Sequence, residues 1–258
     1  MLNIHSILKE YEPIELQEMD EVALMERVDK KFTIKANEIP KILQQLQKTY
    51  RCLEINNKRV FSYQTEYLDN TQSRLYKNHQ NGKLNRFKIR FRDYIQSNIT
   101  FLEVKFKSNK GVTKKTRIEV PFKSRKESMG CNQFINKETP YNLTKFNITL
   151  INNFDRITLV NLVTKERVTI DINLQFNSEK RIKDLPQLCI IEVKKEKGNR
   201  KSDILTLLKS KGIRPTRFSK YAIGSVLLNP KLKYNNFKRK LLFINKITDN
   251  GNVWNSTF

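Results

Sequence analysis

The sequence predicts an α+β fold in which eight strands close into a barrel with helices packed on the outside. Three observations lead there. Eight segments, near 27–34, 58–69, 84–94, 99–108, 113–122, 154–160, 166–176 and 187–196, alternate apolar and polar residues with period two. Three short segments carry helical spacing or helix-capping residues instead. On strand after strand the polar face is enriched in Lys and Arg with few carboxylates among them. A water-facing sheet ordinarily shows Thr, Ser and opposite charges paired across strands. A lumen lined with cations accounts better for this placement, and a flat sheet with solvated charges stays open as the alternative.

In chain order, "ERVDKKFTI" sets Arg27, Asp29 and Lys31 on one face of the first strand and Val28 and Phe32 on the other. "NEIPKILQQLQKT", 37–49, places Ile39, Ile42, Leu43 and Leu46 on one stripe behind a capping Asn37 and predicts a helix. "YKNHQNGK" reads as a turn that leaves His79 in solvent. In "NRFKIRFRDY", 85–94, Arg86, Lys88, Arg90 and Arg92 share one face, with Phe87, Ile89 and Phe91 on the reverse. Neighbouring cations on such a face stand roughly 7 Å apart. Each adjacent pair repels by about 0.6 kcal/mol in water and about 2 kcal/mol at an effective dielectric near 20. "FLEVKFK" opposes Glu103, Lys105 and Lys107 to Leu102, Val104 and Phe106, and "TKKTRIEV" opposes Lys115, Arg117 and Glu119 to Thr116, Ile118 and Val120. "RVTIDINLQF" carries Arg167 and Asp171 on its polar face, and "IIEVKK" carries Glu192 and Lys194. "SDILTLLKSKG" opens a helix at Ser202 and closes it at Gly212, and "SKYAIGSVLL" opens another at Ser219.

Composition narrows the chemistry. The 258 residues and 38% apolar content support a substantial core, and no run of 18 apolar residues marks a membrane span. The start, "MLNIHSILKEYEP", lacks the pattern of a signal peptide. Cys52, Cys131 and Cys189 are odd in number and far apart, which disfavours a disulfide framework or thiolate zinc site and fits a reducing cytoplasm. A net charge of +24 attracts polyanions, although a Lys-, Asn- and Ile-rich composition inflates the total. There is no GxxxxGK[ST], GxGxxG or HExxH, and the two histidines, His5 and His79, are far apart. If phosphates are bound, side chains must bind them. Arginine supplies a planar fork and lysine a point charge, and Glu103, Asp171 and Glu192 could hold one divalent ion. Phe87, Phe91 and Phe106 fall on the core side, away from the cations, which disfavours base stacking and with it a nucleic-acid reader, though not contact with a nucleic-acid backbone. The organisation expected is a lead at 1–19, one domain at 20–228 and a basic tail at 229–258. That tail, around "NPKLKYNNFKRKLLFINK", is either solvated or an amphipathic contact with an acidic membrane or partner.

The ordered set "RVDKKF", "YLDN", "LYKNH", "KIRFRDY", "FLEVKFK", "NFDRITL", "RVTIDINLQF", "IIEVKK" and "RFSKYAIG" resembles the VTC domain, the polyphosphate polymerase domain. That family belongs to the triphosphate tunnel metalloenzymes, with CYTH-type enzymes as relatives. The resemblance runs from about residue 20 to 228. It implies an eight-stranded antiparallel β-barrel, the triphosphate tunnel, that binds a triphosphate with Mn2+ or Mg2+. It also implies transfer of the terminal phosphate of ATP to a growing polyphosphate chain with release of ADP.

Carried over residue by residue, the resemblance implies that Lys31, the pair Arg90 and Arg92, Lys105, Arg156, Arg167 and Lys220 act on phosphate. Glu192 matches the metal-binding glutamate, with Glu103 and Asp171 as secondary candidates. Arg27, Arg86, Lys88, Lys107, Lys115, Arg117 and Lys194 are further candidates to line the tunnel, with a surface or packing role as the alternative. Where CYTH relatives open with Glu-x-Glu-x-Lys, this chain has Arg27-x-Asp29-x-Lys31. A cation thus replaces one metal ligand, which favours phosphate binding over a two-metal hydrolytic site. The rival readings are an inorganic or nucleoside triphosphatase on the same fold and a non-enzymatic polyanion-binding module. Another is a degenerate tunnel that meets a partner at the inner face of a membrane through the basic tail.

Overall fold

A computed structural model describes residues 3–19, 27–123, 125, 130–198 and 200–248. The side chain of Arg27 and the last ten residues of the tail lie outside the described set, as do residues 20–26 at the expected domain boundary. In chain order the elements are α1 (Ile4–Lys9), β1 (Pro13–Ile14), β2 (Arg27–Lys35), α2 (Ile39–Leu46), β3 (Arg51–Leu53), β4 (Phe61–Asp69), α3 (Arg74–Gln80), β5 (Arg86–Tyr94), β6 (Ile99–Lys107) and β7 (Thr113–Val120). They continue with α4 (Cys131–Glu138), β8 (Asn147–Asn161), β9 (Glu166–Asn177), β10 (Ile182–Leu185), β11 (Leu188–Glu196), α5 (Asp203–Ser210), α6 (Lys220–Leu228) and α7 (Lys238–Ile247). The chain is α+β, as expected. Among the described residues, no helix is long and apolar enough to cross a membrane.

The chain divides into two compact units: residues 1–61, 155–174 and 185–218 form the first, and residues 62–154, 175–184 and 219–258 the second. In unit one the strands run β2-β11-β9-β8, with β3 on β8 and β1 on β3. The β11 pairs with β2 and β9 are antiparallel, whereas β1 lies parallel to β3. In unit two they run β8-β4-β5-β6-β7, with antiparallel β4-β5, β5-β6 and β6-β7 pairs. These are the eight strands expected, and β2 and β7 are the ends of the hydrogen-bonded path.

The alternation decides which face of each strand is buried. In unit one Phe32, Ile34, Val168, Ile170, Ile191 and Val193 pack with Ile39, Ile42, Leu43 and Leu46 of α2 and with Ile204 and Leu208 of α5. In unit two Leu68, Ile89, Phe91, Leu102 and Val104 pack with Leu75 of α3 and with Cys131 and Ile135 of α4. At roughly 25 cal/mol per Å² of apolar surface, these two cores hold one face of each sheet down. The opposite face of the strands is left to the charged residues.

Several elements differ from expectation. The helix expected over 37–49 is α2 at Ile39–Leu46 behind one 3-10 turn, and no side chain caps it. Pro40 falls in its first turn, where the missing N–H has no partner to lose. The strand expected over 154–160 begins already at Asn147; Asn152 and Asn153 interrupt the apolar alternation and hide its first half in the sequence. Asn152 is fully buried and its Nδ2 donates to the Gln175 carbonyl at 2.8 Å. The "YKNHQNGK" turn is instead the end of α3, and His79 is half-buried there with its ring stacked on Phe237.

Residues 229–248 are not left in solvent either. Phe237, Leu241, Ile244 and Ile247 are buried, and Tyr76 Oη donates to the Lys233 carbonyl at 2.8 Å. The apolar stripe expected to meet a membrane or partner is used within unit two. On α7 it leaves Leu242 and Phe243 exposed.

Candidate functional site

Unit two brings the β5 cations into cross-strand rows. Residues directly opposite in an antiparallel pair point to the same face, so the register lists the neighbours. Arg92 is flanked by Thr65 and Phe101, and Arg90 by Tyr67 and Glu103, with Arg117 beyond. Lys88 faces Lys105, which faces Lys115, and Arg86 faces Lys107. The last two rows juxtapose like charges with no carboxylate in register.

Glu103, with 1% of its side chain exposed, is a buried anion on this face. Its Oε2 accepts from Arg90 Nε at 2.6 Å and lies 3.9 Å from Arg92 Nη1, while Lys115 Nζ closes on Oε1. Burial alone would raise the Glu103 carboxyl, but Arg90, Arg92 and Lys115 outweigh it and hold it well below the usual carboxylate range. Burial likewise works against the Arg90 charge, and Glu103 with Tyr67 reverses that and raises the group above its ordinary value. Lys115 goes the other way: burial and the two arginines outweigh Glu103 and bring its ammonium down to about 8. Arg92 Nε donates to Thr65 Oγ1 at 3.3 Å, and Arg90 Nη1 to Tyr67 Oη at 3.4 Å. Neither Thr65 nor Tyr67 is visible as a site residue in sequence, because β4 carries no charge alternation.

The head of α6 joins this face. Ser219 caps the helix by accepting from Ala222 N, and Lys88 Nζ donates to the same Oγ at 3.1 Å. Lys220 Nζ stands 2.8 Å from the centroid of the Phe154 ring. The helix is held from below by Asp69. Its Oδ2 accepts from Tyr221 Oη at 2.6 Å and from Tyr76 N at 2.9 Å, so one carboxylate ties the starts of α3 and α6 together. Gly224 lets α6 lie close, since a Cβ there would overlap the Phe176 ring.

Rings also stand among the cations. Tyr63 stacks on Phe154 at 5.2 Å, Tyr94 meets Phe101 edge-on at 5.6 Å, and the Arg117 guanidinium sits 4.2 Å over Phe101. The expectation that aromatics keep to the core side holds for Phe91, which is buried, and for the paired Phe87 and Phe106. Tyr67, Tyr94 and Phe101, which that expectation did not cover, are placed by the register on the cation face.

Unit one carries a second cluster. Glu192 lies opposite Lys31 and Thr169, and Lys194 opposite Asp29 and Arg167. Lys31 Nζ is 3.4 Å from Glu192 Oε1, and Lys194 Nζ is 4.0 Å from Oε2. Burial would raise the Glu192 carboxyl, but Lys31, Lys194 and Arg156 together bring it down to about 2. Arg156 forks onto Asp171, Nε to Oδ1 at 2.6 Å and Nη2 to Oδ2 at 2.9 Å. Thr33 Oγ1 and Thr216 Oγ1, 3.2 Å apart, link β2 to the loop before α6.

Of the residues expected from sequence, unit two holds Lys88, Arg90, Arg92, Glu103, Lys105, Lys107, Lys115, Arg117 and Lys220. Unit one holds Lys31, Arg156, Arg167, Asp171, Glu192 and Lys194. Among the described residues no group of three or more His, Cys, Asp or Glu is arranged to hold a metal. A divalent ion fits Glu192 best. That carboxylate is ionised, with its two lysines at 3.4 and 4.0 Å, so phosphate oxygens and water would complete the shell of the ion. Asp171 is already gripped by the Arg156 fork, and Glu103 by its cations.

Compared with known proteins, the chain matches the VTC domain over residues 26–229. Among functionally curated proteins none matches it. Solved structures to which the chain is similar include a candidate adenylate cyclase from Bacillus halodurans, at 11% identity and a TM-score of 0.47 over 75% of this chain and 94% of that one. Another is a candidate adenylyl cyclase from Hippeastrum with a dominant triphosphatase activity, at 15% identity and a TM-score of 0.48 over 78% and 95%. A Pyrococcus horikoshii protein follows at 10% identity and a TM-score of 0.40 over 72% and 92%.

Proposed function

The chain belongs to the VTC domain family, and on that premise we propose that it is a polyphosphate polymerase that transfers the γ-phosphate of ATP to a growing polyphosphate chain. One observation supports this reading above the others. The rows Lys88–Lys105–Lys115 and Arg86–Lys107 set like charges directly opposite one another on the polar face of unit two. Directly opposed like charges destabilise a sheet. Lys115 also reaches Glu103, but the rows still gather more cations than carboxylates, and a phosphate chain presents charges in series as the rows present cations.

Phosphoryl transfer requires little covalent work from protein; positioning and neutralisation of charge do most of it. A terminal oxygen of the acceptor chain attacks the γ-phosphorus, the bond to the β,γ-bridging oxygen breaks, and ADP leaves with that oxygen. In unit two Arg90 and Arg92 are pre-set by Glu103, so their remaining N–H groups are fixed before substrate arrives. Glu103 is thereby a positioning residue. Lys220, at the head of α6, and Lys88, which reaches it from β5, supply point charges beside the capped helix terminus. In unit one Lys31, Arg156, Arg167 and Lys194 are phosphate-binding groups, and Glu192 would hold Mn2+ or Mg2+. When bound, such an ion neutralises phosphate charge and orients its oxygens. A cytoplasmic setting is part of the proposal and is supported by three buried free thiols, Cys52, Cys131 and Cys189.

The test incubates the purified chain with ATP and Mn2+ or Mg2+, with and without a short polyphosphate primer, beside Arg90→Ala, Lys220→Ala and Glu192→Ala. The expected result is long polyphosphate with matching ADP, lost in all three variants. Phosphate release without chain growth would replace the proposal by a triphosphatase. Triphosphate binding that depends on Arg90, without turnover, would leave a binding module.

A further inference from the structure

We propose that the first turn of α7 extends the cation rows of unit two into a landing surface for the distal part of a long inorganic polyphosphate chain. This rests on the polyphosphate reading of the same face, but it concerns residues beyond the stretch that matches the family, which ends at 229.

The start of α7 is pinned to the end of α3. Asn236 Nδ2 donates to the Gln80 carbonyl at 2.7 Å, and the Phe237 ring stacks on His79 with centroids 5.9 Å apart. Lys240 Nζ lies 5.5 Å from the centroid of the same Phe237 ring. From α3 the chain turns through 81–85 into Arg86, whose Nη1 donates to the Lys83 carbonyl at 2.8 Å and which faces Lys107 in register. His79 therefore sits within the field of Arg86, Lys88, Lys107 and Lys240. Burial and those four charges bring its imidazole down to about 2, so it stays neutral and adds no positive charge to the surface. Lys238 and Arg239, on the same turn as Lys240, are exposed.

Length identifies the ligand. From Arg92 to Arg86 the cation face already runs about 20 Å at the rise of a strand, more than a triphosphate covers. Cations added past Arg86 can be engaged only by a longer chain that continues from the same face.

The experiment measures binding of long-chain inorganic polyphosphate and of tripolyphosphate, at one fixed salt concentration, to the wild type and a Lys238→Ala, Arg239→Ala, Lys240→Ala triple variant. Long polyphosphate is expected to bind the variant about tenfold more weakly, because contacts to phosphate add through released counterions. Tripolyphosphate should bind both proteins alike, which also reports that the variant is folded. A variant with Lys238→Arg and Lys240→Arg alone should bind as the wild type does. Unchanged affinity for the long chain, or an equal loss for both lengths, would overturn the proposal. So would a larger loss for single-stranded DNA than for polyphosphate, which would make the surface one for nucleic acid. Because the readout is binding, a chain that fails to polymerise would sink the proposed reaction and leave this surface standing.

Discussion

Replacing Glu103 by Gln keeps the volume and removes the charge that organises the cation face. Glu103 has 1% of its side chain exposed, whereas Arg90 has 22%, Arg92 10% and Lys115 41%. The variant leaves Arg90 and Arg92 on one strand face about 7 Å apart, where their repulsion is roughly 2 kcal/mol at an effective dielectric near 20. Breaking a buried pair by removing one partner costs about 3–5 kcal/mol. Lys115 can turn to solvent, so the low end, about 3 kcal/mol, applies. At this chain length that lowers Tm by about 6–12 °C. The same change raises the positive charge available to a phosphate ligand. Tripolyphosphate should therefore raise the Tm of Glu103→Gln by more degrees than it raises that of the wild type, and a ligand at 100 times its Kd contributes about 2.7 kcal/mol. Thermal unfolding followed by circular dichroism across a tripolyphosphate titration reads both effects. A Glu103→Gln protein as stable as the wild type would refute the claim that Glu103 restrains mutual repulsion. A variant that is destabilised but gains less from tripolyphosphate would show that the positioning of Arg90 and Arg92 by Glu103 outweighs the added charge. No gain in either protein would refute the claim that phosphate binds on this face.

Two predictions concern pH. Lys115, brought down to about 8, loses its charge as pH rises through that value, so tripolyphosphate affinity should fall by up to about tenfold per pH unit above it. Calorimetry in buffers of different ionisation enthalpy should show proton uptake on binding near pH 8, and Lys115→Arg, charged throughout, should abolish both effects. His79 titrates near 6.5 when unfolded and at about 2 in the fold, so the unfolded chain binds the extra proton in between. Its contribution to stability is complete above about pH 6.5 and declines by about 1.4 kcal/mol per pH unit below it. Urea unfolding between pH 7 and 5 should show that decline, and His79→Gln should flatten it.

The rows of cations are the clearest case of what could be read before folding. Period-two alternation puts Arg86, Lys88, Arg90 and Arg92 on one face whatever the partner strands are, because successive side chains on a strand point oppositely. The caps at Ser202 and Ser219 were legible for a similar reason, since each side chain bonds a backbone N–H three residues on. The helix α3 was not. The carboxylate that meets its first N–H groups is Asp69, six and seven residues before Leu75 and Tyr76, outside the local capping pattern. The basic tail misled in another way, because an amphipathic stripe shows that a helix has an apolar face without saying what covers it. Phe237 against His79 and Tyr76 answers that.

By itself the sequence determined the eight main strands, the faces they present and the sign of the charge on those faces, all properties of one segment at a time. The short β1, β3 and β10 emerged only in the structure. Only the tertiary structure decided that Lys88, Lys105 and Lys115 fall in one row and that Glu103 serves Arg90, Arg92 and Lys115 together. It also decided that Thr65 and Tyr67 complete the arginine contacts. Those are matters of register between strands, and register is set by the joint burial of the opposite faces against α3 and α4. A shift of one residue would turn the cations into the core, so the packing that excludes the shift is also what assembles the site.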